Sequence, residues 1–530
     1  MSARPPVAET IFDLIVFVIS LVNISNNSRQ LDLIGAPNYV EPLYLVYRLL
    51  SASGSEALPL PRSVSAPEPQ ARRNAYTSRP TLAPPVHSFC GYESPSELED
   101  GDITPDPTPH RPGASGPSWS HASTSRRQNG GGNSPMKASM DDILNKGRNL
   151  SKRKVSLRDR ITCYQWTWFT MTMATGGVAN VLYSIPYRSQ WLTGVGLFFF
   201  FLNLLLFTVN CICITLRFLW SAGSFLHSLN DQTESLFVSS IIVSAGTILI
   251  TICQYGIPNT GPWLLRTMEI IFWIYVGLSF CVSAFLYLLL WSTTVFPIHT
   301  MTPVWVFPAY PLLLTAPYGS NLISASVKAG HTESLNPISI ALASIAVQGT
   351  GFLISFMICA AFLYRLMTQK LPRDYQRPGV FISIGPGAFT AAGLVQLANS
   401  APDFIPGEFL GTQNTVAISI LRILAYMAGV WLWGLSCWFF LVSVGSLWKY
   451  LRPEGKSKLQ FQMTWFSFVF PNTALVTATE ALGKAFDSDG LKILGCVLTG
   501  CIILVWIVVF WKMVECIWRR ELLWPKESED

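Results

Sequence analysis

Charge is scarce in this chain. Asp, Glu, Lys and Arg make up only 13% of its 530 residues, against roughly 25% in ordinary soluble domains. That is too little to clothe several water-facing globules, which excludes a soluble enzyme and a nucleic-acid module. Histidine is sparse too, at six. No HExxH, paired-carboxylate or nucleophile motif occurs, so the chain reads as a non-enzyme with no cofactor and no metal site. Among the eleven cysteines there is no CxxC, and Cys211-x-Cys213 has no His nearby. They read as packing residues in an apolar core, which excludes a disulfide-stapled secreted domain.

Apolar residues are abundant instead. Half the chain is hydrophobic, with 32 Phe and 18 Trp, and mean hydropathy is +0.36. Such a composition suits lipid contact with aromatic belts at the interfaces. The long apolar segments are Cys163–Ser184, Trp191–Leu219, Leu236–Tyr255, Arg266–Thr293, Pro303–Ser326, Ile338–Leu366, Gly379–Ala398, Thr415–Trp448, Phe461–Ala485 and Leu491–Trp518. Each has about the length that crosses a bilayer as a helix. The expected fold is therefore all-α integral membrane, with ten transmembrane helices.

Residues Ser51 to about Asn149 are rich in Pro, Ser and Gly and cannot propagate a helix. The apolar stretch Ile11–Val22 is interrupted by Asp13 and too short to span. We expect a largely disordered cytoplasmic N-terminal region (1–157), a ten-helix transporter domain (158–520) and a short cytoplasmic tail (521–530). Lys152, Arg153, Lys154, Arg158 and Arg160 precede the first segment; Lys370, Arg373 and Arg377 follow the sixth; Lys449, Arg452, Lys456 and Lys458 follow the eighth; Arg519 and Arg520 follow the tenth. These fall on one side if the segments alternate, which puts both termini in the cytoplasm.

Odd and even segments differ in kind. The odd ones carry Thr175-Gly176-Gly177, Pro308 and Pro311, Gly385-Pro386-Gly387, and Phe470-Pro471-Asn472-Thr473; the third has Ser244, Gly246 and Thr247. The even ones are mostly continuous Leu, Ile, Phe and Trp. This suggests five hairpins, with the odd members around a central pore and the even ones against lipid. At 1.5 Å per residue Phe470 lies about 13 Å past Phe461, near the middle of the hydrocarbon core. Irregular backbone at that depth belongs inside protein or along a water-filled cavity. Freed N–H groups there can solvate an anion without a buried charge.

Four separated motifs carry a family resemblance. Trp166-Thr-Trp-Phe-Thr-Met-Thr-Met-Ala-Thr-Gly-Gly177, Pro303-Val-Trp-Val-Phe-Pro308, Arg377-Pro-Gly-Val-Phe381 running into Gly385-Pro-Gly-Ala-Phe389, and Trp465-Phe-Ser-Phe-Val-Phe-Pro-Asn472 with Glu480-Ala-Leu-Gly-Lys484 resemble the first, fifth, seventh and ninth helices of fungal malic acid transport proteins. Those belong to the tellurite-resistance/dicarboxylate transporter family, which also holds the plant slow anion channels and the fungal sulfite efflux pumps. The resemblance implies ten helices in five hairpins around a pore in each subunit, assembly as a homotrimer, and a ninth-helix phenylalanine obstructing the pore, here Phe470. The interruptions of the odd segments put Thr175, Gly176, Gly177, Pro308, Pro311, Gly385, Pro386 and Gly387 along that pore, with Pro471, Asn472 and Thr473 beside the gate. One departure is Gly387, where a second Pro is expected after Gly385-Pro386.

Intramembrane charges are functional candidates. Arg422, Glu480 and Lys484 are read as an anion attractor or as members of an ion pair, with Arg422 able to attract an anion or to neutralise Glu269 or Glu480. The expected function is transmembrane transport of small organic anions, malate and related C4 dicarboxylates, across the plasma membrane. Sulfite or another inorganic anion on the same scaffold is the alternative.

Overall fold

The computed structural model describes residues 155–331, 335–409, 411–451 and 459–524. The readings for Ile11–Val22 and for Ser51 to Asn149 lie outside the described residues, as do 525–530 of the tail. The described chain is mostly helical. Ten α-helices have twelve or more residues: α1 (Phe169–Ser184), α2 (Gln190–Trp220), α3 (Ser240–Thr251), α4 (Pro262–Thr293), α5 (Thr315–Lys328), α6 (Pro337–Gln369), α7 (Ile384–Asn399), α8 (Asn414–Ser446), α9 (Phe470–Ala485) and α10 (Asp489–Trp518). A two-residue β-ribbon, Glu408–Phe409 with Thr412–Gln413, precedes α8.

Among the described residues, seven helical stretches are long and apolar enough to cross a membrane. They are α2, α4, α6, α8, α10, Ser235–Asn259 around α3 and Asp374–Asn399 around α7. The ten spans expected from the sequence are thus seven by this measure. The stretches containing α1, α5 and α9 fall short because Thr, Ser, Gly, Asn and Pro dilute their apolar residues. Burial explains how they tolerate this: every residue of α9 from Phe470 to Gly483 is buried. A helix surrounded by protein need not match lipid.

The alternation is physical. In the most apolar part of α2, α4, α6, α8 and α10 only 11% to 33% of residues are buried, against 67% and 89% around α3 and α7. Exposed Phe198, Phe201, Trp431 and Trp511 on the even helices form apolar faces that suit lipid. The odd helices close on themselves: α1 packs on α3, α3 on α5, α5 on α7, α7 on α9, and α9 on α1.

All five odd helices are led in by a 3₁₀ stretch: Trp166–Trp168, Ser235–Ser239, Pro303–Leu314, Asp374–Ser383 and Met463–Phe468. In the longest, Pro308 and Pro311 have no N–H to donate and would clash in a regular α-helix, so the tighter turn is favoured. In α9 Pro471 occupies the first turn, where its missing N–H costs nothing. Two adjacent glycines inside a helix suggest a break, yet α1 runs through Gly176-Gly177 without one. The pair serves close approach instead, because a Cβ on Gly176 would press on Thr247 and Asn203, and one on Gly177 on Thr473.

Candidate anion pathway

One residue set from each odd helix converges on a single cavity. Gly177 and Asn180 of α1, Thr247 and Ile250 of α3, Leu314 and Pro317 at the start of α5, Phe389, Ala392 and Gln396 of α7, and Phe470, Thr473 and Thr477 of α9 line one narrow space between the helices. Toward the leading end it is closed by aromatic rings. Phe470 is 3% exposed, and its ring lies 5.2 Å from Phe389 and 6.0 Å from Tyr310, centroid to centroid. Tyr310 in turn stacks on Phe307, which meets Phe237. Its hydroxyl donates to the Ile382 carbonyl at 2.6 Å, which fixes the ring. Beyond this layer a second, more open space begins, bordered by Gln232, Phe237, Thr302, Tyr375, Gln376 and Thr464 on the lead-in side.

The hydrogen-bond network decides what the first cavity offers. The Asn180 carbonyl oxygen accepts from Gln254 Nε2 at 2.5 Å. The Gln396 carbonyl oxygen accepts from the Ser320 hydroxyl at 3.1 Å. Each amide is thereby oriented, and its NH₂ group has no partner among the described residues. The threonine hydroxyls are spent differently: Thr247 donates to Ser244 O, Thr473 to Phe470 O and Thr477 to Thr473 O, all within their own helices. A cavity with two oriented amide donors and no charged wall suits a partly dehydrated anion better than a cation.

Of the residues expected from the sequence, Gly177, Phe470 and Thr473 line this cavity. Thr175 sits on the opposite side of α1, where Trp506 of α10 donates to its hydroxyl at 3.1 Å. Gly176 faces Thr247 and Asn203. Pro308 and Pro311 lie in the buried lead-in, and the Pro311 carbonyl accepts from Tyr275 at 2.9 Å. Gly385 admits the Tyr310 hydroxyl, Gly387 faces Ser436 of α8, and the Pro386 carbonyl accepts from Thr390 at 2.7 Å. Pro471 is buried in the first turn of α9. Asn472 donates to Phe468 O at 2.9 Å, while its own carbonyl oxygen is buried without a partner.

The charged candidates separate. Arg422 donates to the carbonyls of Ala398 and Asn399 at 3.2 and 3.3 Å, closing the C-terminus of α7. Glu269 pairs with Arg266. Glu480 is fully buried and accepts from the hydroxyls of Ser184 at 2.6 Å and Thr499 at 3.1 Å. Lys484 donates to the Ser184 carbonyl at 2.5 Å. Sequence reasoning picked out Thr247 among the polar residues of the third segment and missed Asn180, Gln396 and Thr477. The signal was helical spacing: Asn180 is three residues beyond Gly177, Thr477 seven beyond Phe470, and Gln396 seven beyond Phe389.

The signature of the voltage-dependent anion channel family (SLAC1) matches residues 163–514. The chain belongs to this family. It is similar to the malic acid transport protein of Schizosaccharomyces pombe, 28% identical over 386 residues, 72% of this chain and 85% of that one. It is also similar to the sulfite efflux pump of Trichophyton rubrum, 27% identical over 330 residues, 62% of this chain and 84% of that one. The resemblance seen in the sequence motifs is thus a true family relation. The SLAC1 match and the seven apolar stretches make the chain a multi-pass membrane protein of an anion-transporting family, whose named relatives are transporters or channels rather than enzymes.

Proposed function

We propose that the chain carries small organic anions of the malate class, C4 dicarboxylates, through the ring of odd helices. The observation that carries this reading is the pair of oriented amides, Asn180 and Gln396, in a cavity closed by Phe470. Ten membrane crossings as five hairpins around a central pore account for the pairing of α1 with α2, α5 with α6, α7 with α8 and α9 with α10. In this reading the transport domain spans 158–520, the leading end is cytoplasmic and both termini lie there, since the bases that precede and follow the bundle gather on that side. The membrane is the plasma membrane, and the assembly is a homotrimer.

Phe470 acts as the gate, with Pro471, Asn472 and Thr473 shaping the helix start that carries it. A dry aromatic layer stops hydrated ions until the ring swings aside. Thr175, Gly176, Pro308, Pro311, Gly385, Pro386 and Gly387 then act behind the wall, setting the approach of the helices. Sulfite or another inorganic anion is the second reading, favoured by the similarity to the sulfite efflux pump. Flux of labelled malate into reconstituted vesicles, with succinate, sulfite and nitrate as competitors, separates the two. No saturable flux of any of them in the wild-type protein sinks both.

A further inference from the structure

At the leading end and flanking the ring, several basic side chains are held by structural partners, while others such as Lys370 and Arg373 are exposed. Arg217 is paired with Glu234, Arg377 with Asp374, and Arg365 donates to the carbonyls of Lys370 and His299. The trailing end differs. Arg188, in the α1–α2 turn, places its guanidinium 4.4 Å from the centre of the Tyr183 ring. Lys328, at the end of α5, donates to the Tyr183 hydroxyl at 2.8 Å. Lys484, at the end of α9, donates to the carbonyl of the next residue, Ser184. All three side chains are exposed, and among the described residues none has a carboxylate within ion-pair distance. Lys492 at the same end has two, Asp487 and Asp489.

Two cations are thus held on Tyr183 and a third on the carbonyl of its neighbour Ser184, and Glu480, one turn before Lys484 on α9, accepts from Ser184 and Thr499. Like charges gathered with no carboxylate in ion-pair contact repel one another and raise the local positive potential, which the buried Glu480 beside Lys484 offsets in part. Their position gives that potential a use. Lys484 is seven residues beyond Thr477 on α9, so it lies on the cavity-facing stripe about 10 Å further out. Tyr183 follows the cavity residue Asn180 by three. On α5, Lys328 continues the stripe of Pro317, Asn321 and Ser324.

We propose that Arg188, Lys328 and Lys484, gathered on Tyr183 and its neighbour Ser184, form an anion-capture site at the trailing mouth, separate from the Phe470 constriction and selective for divalent carboxylates over monovalent ions. The proposal rests on the transport reading above. The site raises the local anion concentration and hands its occupant to the amides of Asn180 and Gln396; it does not set the rate through the constriction. Divalent ions gain more than monovalent ones because the attraction scales with charge.

The test compares wild type with the R188Q/K328Q/K484Q triple variant and the ion-paired control K492Q in reconstituted vesicles, with malate, succinate and nitrate added on the trailing side. At low ionic strength the half-saturating malate concentration rises about tenfold in the triple variant and the nitrate value about threefold, because steering depends on charge. Maximal flux stays the same, and K492Q behaves as wild type. Glutamine at exposed positions leaves the fold intact, which elution from size exclusion confirms. An unchanged half-saturating concentration, or a fall in maximal flux alone, overturns the capture site while leaving the transport reading standing. Wild-type protein with no flux overturns both. A half-saturating concentration that follows the anionic lipid content of the vesicle, but not these substitutions, assigns the cations to lipid headgroups and also overturns the proposal.

Discussion

A Cβ placed on Gly177 of α1 would lie 2.5 Å from the Thr473 hydroxyl oxygen of α9. The closed ring depends on that approach, because α9 must return to α1 to complete it. Gly177→Ala forces one of the two helices outward, at a cost of about 1–3 kcal/mol for an overpacked contact. Thermal unfolding in detergent should show a lowered midpoint, and Thr473→Ala added to Gly177→Ala should restore part of it. A double variant no more stable than Gly177→Ala alone would mean that the contact is not the cause.

Phe470 lies between the two cavities, in contact with Phe389 and Tyr310. Replacing its ring with a methyl group opens the layer, and Phe470→Ala should raise anion flux on the order of tenfold, the equivalent of ~1.4 kcal/mol off the barrier. Phe389→Ala should act in the same direction and less strongly, because the Phe470 ring remains. Reduced flux in Phe470→Ala protein that still elutes as a folded species would contradict the gating role.

Much of the fold was legible because lipid demands a strong and simple signal. The even helices had to be apolar along their length, and Phe198, Phe201, Trp431 and Trp511 are exposed as that demand requires. The odd helices were legible by contrast, through the small and polar residues that buried helices can accept. The count of spans was harder for the same reason, since α1, α5 and α9 carry too many of those residues to resemble lipid-facing helices. Within the site, motif positions located Gly177, Phe470 and Thr473 but misjudged their neighbours. Thr175 is two residues before Gly177, about 200° around the helix, and so meets Trp506 instead of the cavity. Arg422 reads from the sequence as an anion attractor or as the partner of Glu269 or Glu480, because the carbonyls it closes, at Ala398 and Asn399, are invisible in a sequence. Asn180 and Gln396 were passed over because a single amide in an apolar run resembles ordinary packing. Only the convergence of five helices gives them a common face.

Arg217 and Glu234 form a two-pronged ion pair in a site where the two side chains are 8% and 7% exposed. The pair ties the end of α2 to the lead-in of α3. Removing one member leaves the other charged and buried, so Arg217→Met or Glu234→Leu should each cost about 3–5 kcal/mol. The double variant R217M/E234L should be milder than either single one, since no lone charge remains. Thermal midpoints of the three proteins check this, and a double variant as unstable as the sum of the singles would show that the pair does not act as a unit.

The two amides provide the sharpest test of the anion reading, because carboxamide and carboxylate differ little in shape while one is neutral with an N–H donor and the other is an anion with acceptors only. In Asn180→Asp the oxygen that accepts from Gln254 Nε2 is retained, while the NH₂ donor becomes a second acceptor. An anion in the cavity then meets a like charge where it had met a donor. Flux of malate should fall by at least about tenfold, since a single like charge at close range in a low-dielectric cavity exceeds ~1.4 kcal/mol. Gln396→Glu should do the same from the α7 side, with its Ser320 contact retained. Asn180→Leu, which removes the donor without adding charge, should lie between wild type and Asn180→Asp. That ordering distinguishes a donor used by the anion from a residue that merely packs: packing alone would make leucine the more damaging change and aspartate the milder one.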